Sequence, residues 1–205
     1  WSISAAKDVD FFDDVIVSTN SKKIAKIARN AGASVPFIRP EEFASDDASL
    51  MSVVKHAWQE HLTPDGNHFD CIVILQPTSP LRDVLHINAA IKLYFEKYKG
   101  ENDTLASVYK VDKKNAWLMQ FDNNDEYINF CLKVDLSNPQ RQKLMPLYLP
   151  NGSIFIIKGE CIDSGIYHQN TIPFLMDEVD SEDVDTIEDF RRAENALIKK
   201  VKGKA

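Results

Sequence analysis

The sequence predicts an α/β fold in which a mostly parallel sheet carries helices on both faces. Short apolar runs rich in β-branched residues, VIVST at 15–19 and CIVIL at 71–75, are typical of buried strands. Stretches with helical periodicity lie between the predicted strands. Strands joined through helices require right-handed crossovers, which place the strands in parallel and cover both faces of the sheet.

The first predicted unit is β-α-β. After VIVST, Asn20 or Ser21 caps a helix that Gly32 ends. The segment SVPFIRP follows as a short second strand or an extended stretch. The inner face of this helix is predicted to carry four apolar residues, Ile24, Ile27, Ala28 and Ala31.

The second predicted unit repeats this order. A helix starts at Ser49, the strand CIVIL follows the turn TPDGN, Asp83 caps the next helix, and TLASVY forms a further strand. The inward residues of the first helix are Met51, Val54, Ala57 and Trp58. Those of the second are Val84, Ile87, Ala90, Ile91, Tyr94 and Phe95.

The pattern changes between Lys110 and Pro150. WLMQF and YINFCLKV alternate apolar and polar residues around FDNND, which predicts a hairpin or small arm beside the main sheet. NGSIFIIK then returns to a strand, and Thr186 with Asp189 forms a capping box before the last helix. We therefore expect one α/β domain from 1–110 and 151–205 and an arm at 111–150. The last helix is predicted to bury Ile187, Phe190, Ala193 and Leu197.

Composition narrows the function classes. The 205 residues suit one domain, and a net charge of −7 with scattered basic residues argues against a nucleic-acid polymer as partner. The longest apolar runs are about six residues, too short to cross a membrane. The three cysteines show no CxxC spacing, which favours free thiols in a reducing cytoplasm.

Polar segments follow the predicted strands. STNS follows VIVST, QPTSPLR follows CIVIL, and EVDSEDVD precedes the last helix. Ligands of open parallel sheets bind outside the carboxyl ends of the strands. Asp183 and Asp185 lie two apart, so in an extended backbone both carboxylates point to one side and suit Mg²⁺ with phosphate as co-ligand. The alternative is a solvated acidic loop that caps the helix.

Three other polar positions each allow two interpretations. Arg39 binds a phosphate or pairs with Glu41 or Glu42. Arg141 binds an anionic ligand or is ordinary surface. Asn151 and the glycine after it belong to a ligand site or to a type I′ hairpin turn. The histidines have no catalytic spacing, and GxSxG, GxGxxG and GxxxxGK[ST] motifs are absent from the sequence.

Taken in order, VIVSTNSKKIAKIARNAGASVPFIRPEEFASDDAS, LQPTSPLR, PNGSIFI and DVDTIEDF resemble the acylneuraminate cytidylyltransferase family. The resemblance runs from about Phe12 to the last helix. It implies a Rossmann-like sheet of the nucleotide-diphospho-sugar transferase type and a homodimer built through a protruding arm. It also implies transfer of CMP from CTP to the anomeric hydroxyl of a nonulosonic acid, with Mg²⁺ as cofactor and release of pyrophosphate.

The resemblance also implies roles for single residues. Gln76 faces the sugar with a catalytic role, and Asp183 and Asp185 bind the metal and take part in catalysis. Arg141 of the arm reaches the site of the neighbouring subunit, where it contacts the sugar and assists catalysis. The positions on the CTP side are Arg39, Ala48, Ser49, Thr78 and Ser79, of which Thr78 and Ser79 shape the loop beside Gln76. The remaining sugar-side positions are Asn151 and Phe155, with Ile166 and Tyr167 at the pocket for the N-acyl group.

The sequence departs from the family at several positions. Leu50 stands where the family has serine, and Trp117 and Leu149 stand where sialic acid enzymes have a lysine and an arginine. The acceptor is therefore open among sialic, legionaminic and pseudaminic acids, with the eight-carbon acid Kdo as an alternative. The family also has an R-x-G-S-K-G triphosphate loop, which the resemblance would place in about thirty residues ahead of Trp1. A non-catalytic binding protein without that loop is the second hypothesis.

Overall fold

A computed structural model of the chain describes residues 1–45, 47–100, 103–121, 128–132 and 144–202. Its helices are α1 (Ser2–Lys7), α2 (Lys22–Asn30), α3 (Leu50–Glu60), α4 (Val84–Lys97) and α5 (Ile187–Lys202). Its strands are β1 (Cys71–Ile74), β2 (Thr104–Val111), β3 (Met119–Phe121), β4 (Ile128–Phe130), β5 (Leu147–Lys158) and β6 (Thr171–Met176). The predicted α/β class is confirmed.

The main sheet has the strand order β1-β5-β2-β6. β2 and β6 pair in parallel, whereas β5 is antiparallel to both β1 and β2. β1, β2 and β6 therefore point the same way, and β5 alone runs against them. The reversal follows from the connection, because Val111 at the end of β2 pairs with Leu147 at the start of β5. The chain returns beside the strand it left, as an antiparallel neighbour.

The VIVST segment is less regular than its composition predicts. It forms a single parallel bridge, between Ile16 and Ser34, rather than a strand. The Ser34 amide donates to the Val15 carbonyl at 2.8 Å, and the Val17 amide donates to the Ser34 carbonyl at 2.9 Å. The following SVPFIRP segment is therefore extended chain, which was the second of the two interpretations.

The core lies between α4 and the sheet. The predicted inward residues Ile87, Ala90, Ile91 and Tyr94 of α4 are buried. They pack against residues of β2, β5 and β6, namely Leu105, Ile154, Ile156, Phe174 and Met176. The Tyr94 hydroxyl donates to the Asp103 carbonyl at 3.0 Å, so this polar atom is satisfied inside the core.

Three predicted helix faces are partly wrong, and in α4 the exception is Phe95, which is 47% exposed. α2 buries Ala25 and Ala28, while Ile24 and Ile27 are 51% and 58% exposed. α5 buries Ala193, while Ile187 and Phe190 are exposed. In α2 the small side chains pack against Ala33 and Val35, which turns the larger isoleucines outward. Periodicity alone does not distinguish a face of small residues from the adjacent face of large ones.

The segment between β2 and β5 contains the predicted hairpin. β3 and β4 pair as an antiparallel two-stranded sheet apart from the main one, in the register Met119 with Phe130 and Phe121 with Ile128. This pairing confirms the hairpin, and the assignment of 111–150 as a separate arm stays a prediction. Among the helices described, none is long and apolar enough to cross a membrane.

Candidate active site

Three polar segments meet at one edge of the sheet, beyond the carboxyl end of β1. Gln76 follows β1, and the last residue pair between β1 and β5 is Ile74 with Phe155, so residues 151–154 extend past this end. The third segment follows β6 and holds the predicted aspartates. The Val184 amide donates to the Thr78 carbonyl at 2.9 Å, which ties the aspartate segment to the QPTSPLR loop.

Gln76 is held by its main chain. Its carbonyl accepts hydrogen bonds from Arg82 Nη1 at 3.1 Å, Ser2 Oγ at 3.3 Å and the Ser79 amide at 3.5 Å. Its side-chain amide lies directly on the Cα face of Gly152. A Cβ built on that glycine would be 2.3 Å from Gln76 Oε1 and 3.8 Å from Asp183 Oδ2. The Gln76 amide and the Asp183 carboxylate therefore lie close together on the same face of Gly152.

Asn151 is buried, and its side chain makes hydrogen bonds to three serines. Its side chain accepts from Ser107 Oγ at 2.5 Å and from the Ser153 amide at 3.1 Å, and it donates to Ser181 Oγ at 2.8 Å. Ser181 leads into the aspartate segment, so Asn151 joins β2 and β5 to that segment. The type I′ hairpin alternative is wrong, because β5 continues through this position.

The left-handed φ of +68° at Gly152 explains why the residue after Asn151 is glycine.

Arg82, the last residue of LQPTSPLR, is 2% exposed. Its Nη1 donates to the Gln76 carbonyl and, at 2.7 Å, to the Ser153 carbonyl. Burial lowers the pKa of this guanidinium to about 10, because desolvation disfavours the charged form. No role for Arg82 is predicted from the sequence, in which its position directly before the Asp83 helix cap is the local signal.

Asp183 and Asp185 are both exposed at the edge of the sheet. The predicted capping box beside them is confirmed. Asp189 accepts from the Thr186 amide at 2.6 Å and from the Asp185 amide at 3.1 Å, while the Asp189 amide donates to Thr186 Oγ1 at 3.3 Å. Hydrogen bonds from Thr186 hold the pKa of the Asp189 carboxyl below its ordinary value. Capping thus falls to Asp189, which leaves the other two carboxylates available.

The two free carboxylates suit Mg²⁺. In the described part of the chain no group of three or more histidine, cysteine or acidic side chains forms a closed metal cage. Mg²⁺ is commonly held by one or two carboxylates, with water and substrate phosphates completing its shell. The exposed pair Asp183 and Asp185 fits that donor set.

The residues predicted to contact CTP divide between the two sides of the site. Arg39 is half-buried, its amide donates to the Thr19 carbonyl at 3.0 Å, and its Nε has no hydrogen-bond partner. Within the described ranges, no ion pair joins it to Glu41 or Glu42.

Ser49 caps α3 by accepting from the Ser52 amide at 3.1 Å. Ala48 precedes it, with its amide bonded to the Ser45 carbonyl. The contacts described for Arg39, Ala48 and Ser49 are local, and the structure does not bring them to Gln76 through a hydrogen bond. Thr78 and Ser79 instead belong to the Gln76 loop.

The remaining predicted residues lie around Phe155. Phe155 is buried with Ala106 and Ile166, and its ring meets Tyr167 edge to face at a centroid distance of 6.0 Å. Tyr167 is 59% exposed, so it forms an accessible aromatic wall.

Ser79 is buried, and its hydroxyl points to the protein interior. Arg141 lies outside the described residues.

An α/β sheet with paired carboxylates beside a rigid polar loop at its carboxyl edge is an arrangement suited to nucleotide transfer. A family profile described as "Cytidylyltransferase" matches residues 1–154. The chain belongs to the cytidylyltransferase family.

Named relatives agree with this membership. The chain is 33% identical to "N-acylneuraminate cytidylyltransferase" of Escherichia coli O18:K1:H7 over 94% of its own length and 44% of the relative. It is 30% identical to "CMP-N,N'-diacetyllegionaminic acid synthase" of Legionella pneumophila over 96% of its own length and 83% of the relative. The chain thus spans less than half of the first relative and most of the second.

The fold also matches a solved structure. CMP:2-keto-3-deoxy-manno-octonic acid synthetase, solved in complex with CTP, superposes with a TM-score of 0.66. The match covers 97% of this chain and 86% of that chain, at 10% identity. At this identity the likeness concerns the fold, and it supports the nucleotidyltransferase architecture.

Proposed function

We propose that this protein transfers CMP from CTP to the anomeric hydroxyl of a nonulosonic acid and releases pyrophosphate. The observation that carries the proposal is that the Gln76 amide and the Asp183 carboxylate both lie within 4 Å of the Cβ position of Gly152. A neutral hydrogen-bonding group suited to a sugar and a carboxylate suited to a metal ion are therefore close together, which supports the proposal. The names of the relatives support the substrate class.

The residues divide the chemistry between them. Gln76 orients the sugar acid so that its anomeric oxygen faces the α-phosphorus of CTP. That oxygen bonds to phosphorus while the bond to the bridging oxygen breaks, and pyrophosphate leaves. The hydroxyl proton passes to a carboxylate of the Asp183 and Asp185 pair. We assign the same pair to Mg²⁺, which when bound neutralises charge on the phosphates.

The test is pyrophosphate release by the full-length protein with CTP and Mg²⁺. The acceptors are N-acetylneuraminic, legionaminic, pseudaminic and Kdo acids, and reactions with EDTA or with ATP in place of CTP are the controls. We expect release with one nine-carbon acid and not with the controls. Release with Kdo alone would change the substrate class. CTP binding without release for any acid would favour a non-catalytic binding protein.

We also propose a homodimer in which the segment between β2 and β5 forms the interface and carries Arg141 to the neighbouring site. Large apolar side chains are exposed on this segment and at its base, namely Leu118, Phe121, Met145 and Leu149. Surface of this kind is typical of a protein interface. Light scattering should give twice the monomer mass for the wild type and the monomer mass for a Leu118→Asp, Phe121→Asp variant. A monomeric wild type would contradict the dimer.

A cytoplasmic location completes the proposal. The cysteines Cys71, Cys131 and Cys161 form no disulfide, which is usual in a reducing compartment. Fractionation of the source cells with an antibody would test this, and we expect the protein in the cytosolic fraction.

A further inference from the structure

Arg82 is a buried cation, only 2% exposed. Among the ion pairs of the described residues, none includes Arg82. Its Nε and Nη2 are buried and have no hydrogen-bond partner among the residues that the structure describes. The hydroxyls of Ser79 and Ser153, on the segments it contacts, are buried without a partner as well. Stability alone does not account for such a group, because an unpaired buried charge is costly and an apolar side chain of similar shape is often neutral or stabilising there.

The two bonds that Arg82 does make explain its position. Nη1 donates to the carbonyl of Gln76 and to the carbonyl of Ser153. These carbonyls belong to the loop after β1 and to β5, which is the strand paired with β1. Ser153 directly follows Gly152, whose Cα face carries the Gln76 amide. Arg82 Nη1 therefore sets the distance between the Gln76 backbone and β5, against which the Gln76 side chain lies.

We propose that Arg82 is a positioning residue that aligns the Gln76 amide with the sugar acid by clamping the Gln76 and Ser153 carbonyls together. This inference rests on the proposed function for the ligand and on the hydrogen bonds of Arg82 for the geometry. Arg82 contacts neither the sugar nor the phosphates, and it acts through Gln76. A guanidinium suits this role because its planar group fixes its donors in space, whereas a lysine ammonium on a flexible stem does not.

The experiment compares Arg82→Lys and Arg82→Met with the wild type in the pyrophosphate assay on the full-length protein. We expect both variants to lower kcat/KM for the sugar acid by about tenfold or more, because small misplacement of an orienting group is costly. The KM for CTP should change less than the KM for the sugar acid, since Arg82 donates to the Gln76 and Ser153 carbonyls and not to Thr78 or Ser79. Circular dichroism and the thermal midpoint establish the folded fraction, and rates are expressed per folded molecule.

A double-mutant cycle with Gln76→Ala separates positioning from a general structural effect. If Arg82 acts through Gln76, then Arg82→Lys should have little further kinetic effect in the Gln76→Ala background. Additive losses in the cycle would overturn the proposal. Full rescue of kcat/KM by Arg82→Lys would also overturn it, because charge alone would then suffice.

Gly152→Ala gives a second route if the Arg82 variants do not fold. The new Cβ would displace the Gln76 amide directly, and Gly66→Ala is the matched control, with a similar φ of +78° and nothing within 4 Å of its Cβ position. We expect Gly152→Ala to raise the sugar KM and Gly66→Ala to leave it unchanged. An equal sugar KM in both variants would contradict the role of Gln76 placement.

A readout without turnover distinguishes failure of this inference from failure of the proposed function. The side-chain amide signal of Gln76 in an NMR spectrum is identified by its loss in Gln76→Ala. Arg82→Lys should shift or broaden that signal even if the wild type accepts none of the sugar acids. An unchanged signal would overturn the positioning role, whereas a wild type that is inactive with every acid would overturn only the proposed function.

Discussion

The two sides of the candidate site are built differently. On the acceptor side, Ser79, Arg82, Asn151 and Ser153 are all buried, and Asn151 alone joins two strands and the aspartate segment. On the side predicted to bind cytosine and ribose, Ser49 is exposed. The VIVST segment on that side forms one bridge, between Ile16 and Ser34, rather than a strand. Polar groups held in a buried network cannot rearrange cheaply, whereas exposed loop residues can. The comparison indicates that preorganisation is concentrated where the sugar is proposed to bind.

The largest expected effect concerns Asp183 and Asp185, the exposed carboxylates that are proposed to bind the metal ion. Asp185→Asn should lower Mg²⁺-dependent pyrophosphate release by about 100-fold or more while the fold is retained, since metal charge stabilisation is worth several kcal/mol. Glu188→Gln is the matched control, because it removes one exposed negative charge three residues further on. Wild-type activity in Asp185→Asn would remove Asp185 from the metal site.

The difference in burial between the two sides predicts a difference in the free energy of unfolding of variants on each side. Asn151→Ala should lower the free energy of unfolding by about 2–4 kcal/mol, because it leaves several buried polar partners unsatisfied. Ser49→Ala removes a helix cap on the other side and should lower it by about 1 kcal/mol. Urea unfolding followed by circular dichroism measures both values. Equal losses in the two variants would break the distinction between a buried side and an exposed side.

The smallest expected effect concerns Cys71, at the start of the strand that leads to Gln76. Burial raises the pKa of this thiol to about 11 from an ordinary value of 9.0. The unfolded chain therefore loses the thiol proton at lower pH than the folded chain does. The resulting contribution to stability is fully present below pH 9 and is lost as pH rises toward 11, with a size on the order of 1–2 kcal/mol.

Unfolding measured from pH 8 to about 11 checks this prediction, with the wild type compared to variants so that other titrating groups cancel. Cys71→Ala should flatten the alkaline slope relative to the wild type. Cys131→Ala is the control, because Cys131 is exposed. The same alkaline slope in the wild type and in Cys71→Ala would show that burial does not raise the pKa of the Cys71 thiol.

Local signals in the sequence predicted most of the helices and the positions of the polar segments. Asp83 and Thr186 cap α4 and α5 as expected, and Ser21 is the one of two predicted caps that caps α2. The helix predicted to start at Ser49 is α3, which Ser49 caps. A cap depends on a side chain and the amides two or three residues later, so it is legible in a short window. The apolar run CIVIL likewise became β1, and its polar exit became one side of the site.

The sequence by itself thus determined the α/β class and the starts of α2, α3, α4 and α5, and it suggested Gln76, Asp183 and Asp185 as candidate site residues. Only the tertiary structure decided that β5 runs against its neighbours, that α2 turns its isoleucines outward, and that Arg82 is buried between two carbonyls. These features depend on pairings between residues far apart in the chain, such as Arg82 with Ser153. A local pattern carries no information on such pairings, because their energies arise only when the distant segments pack together.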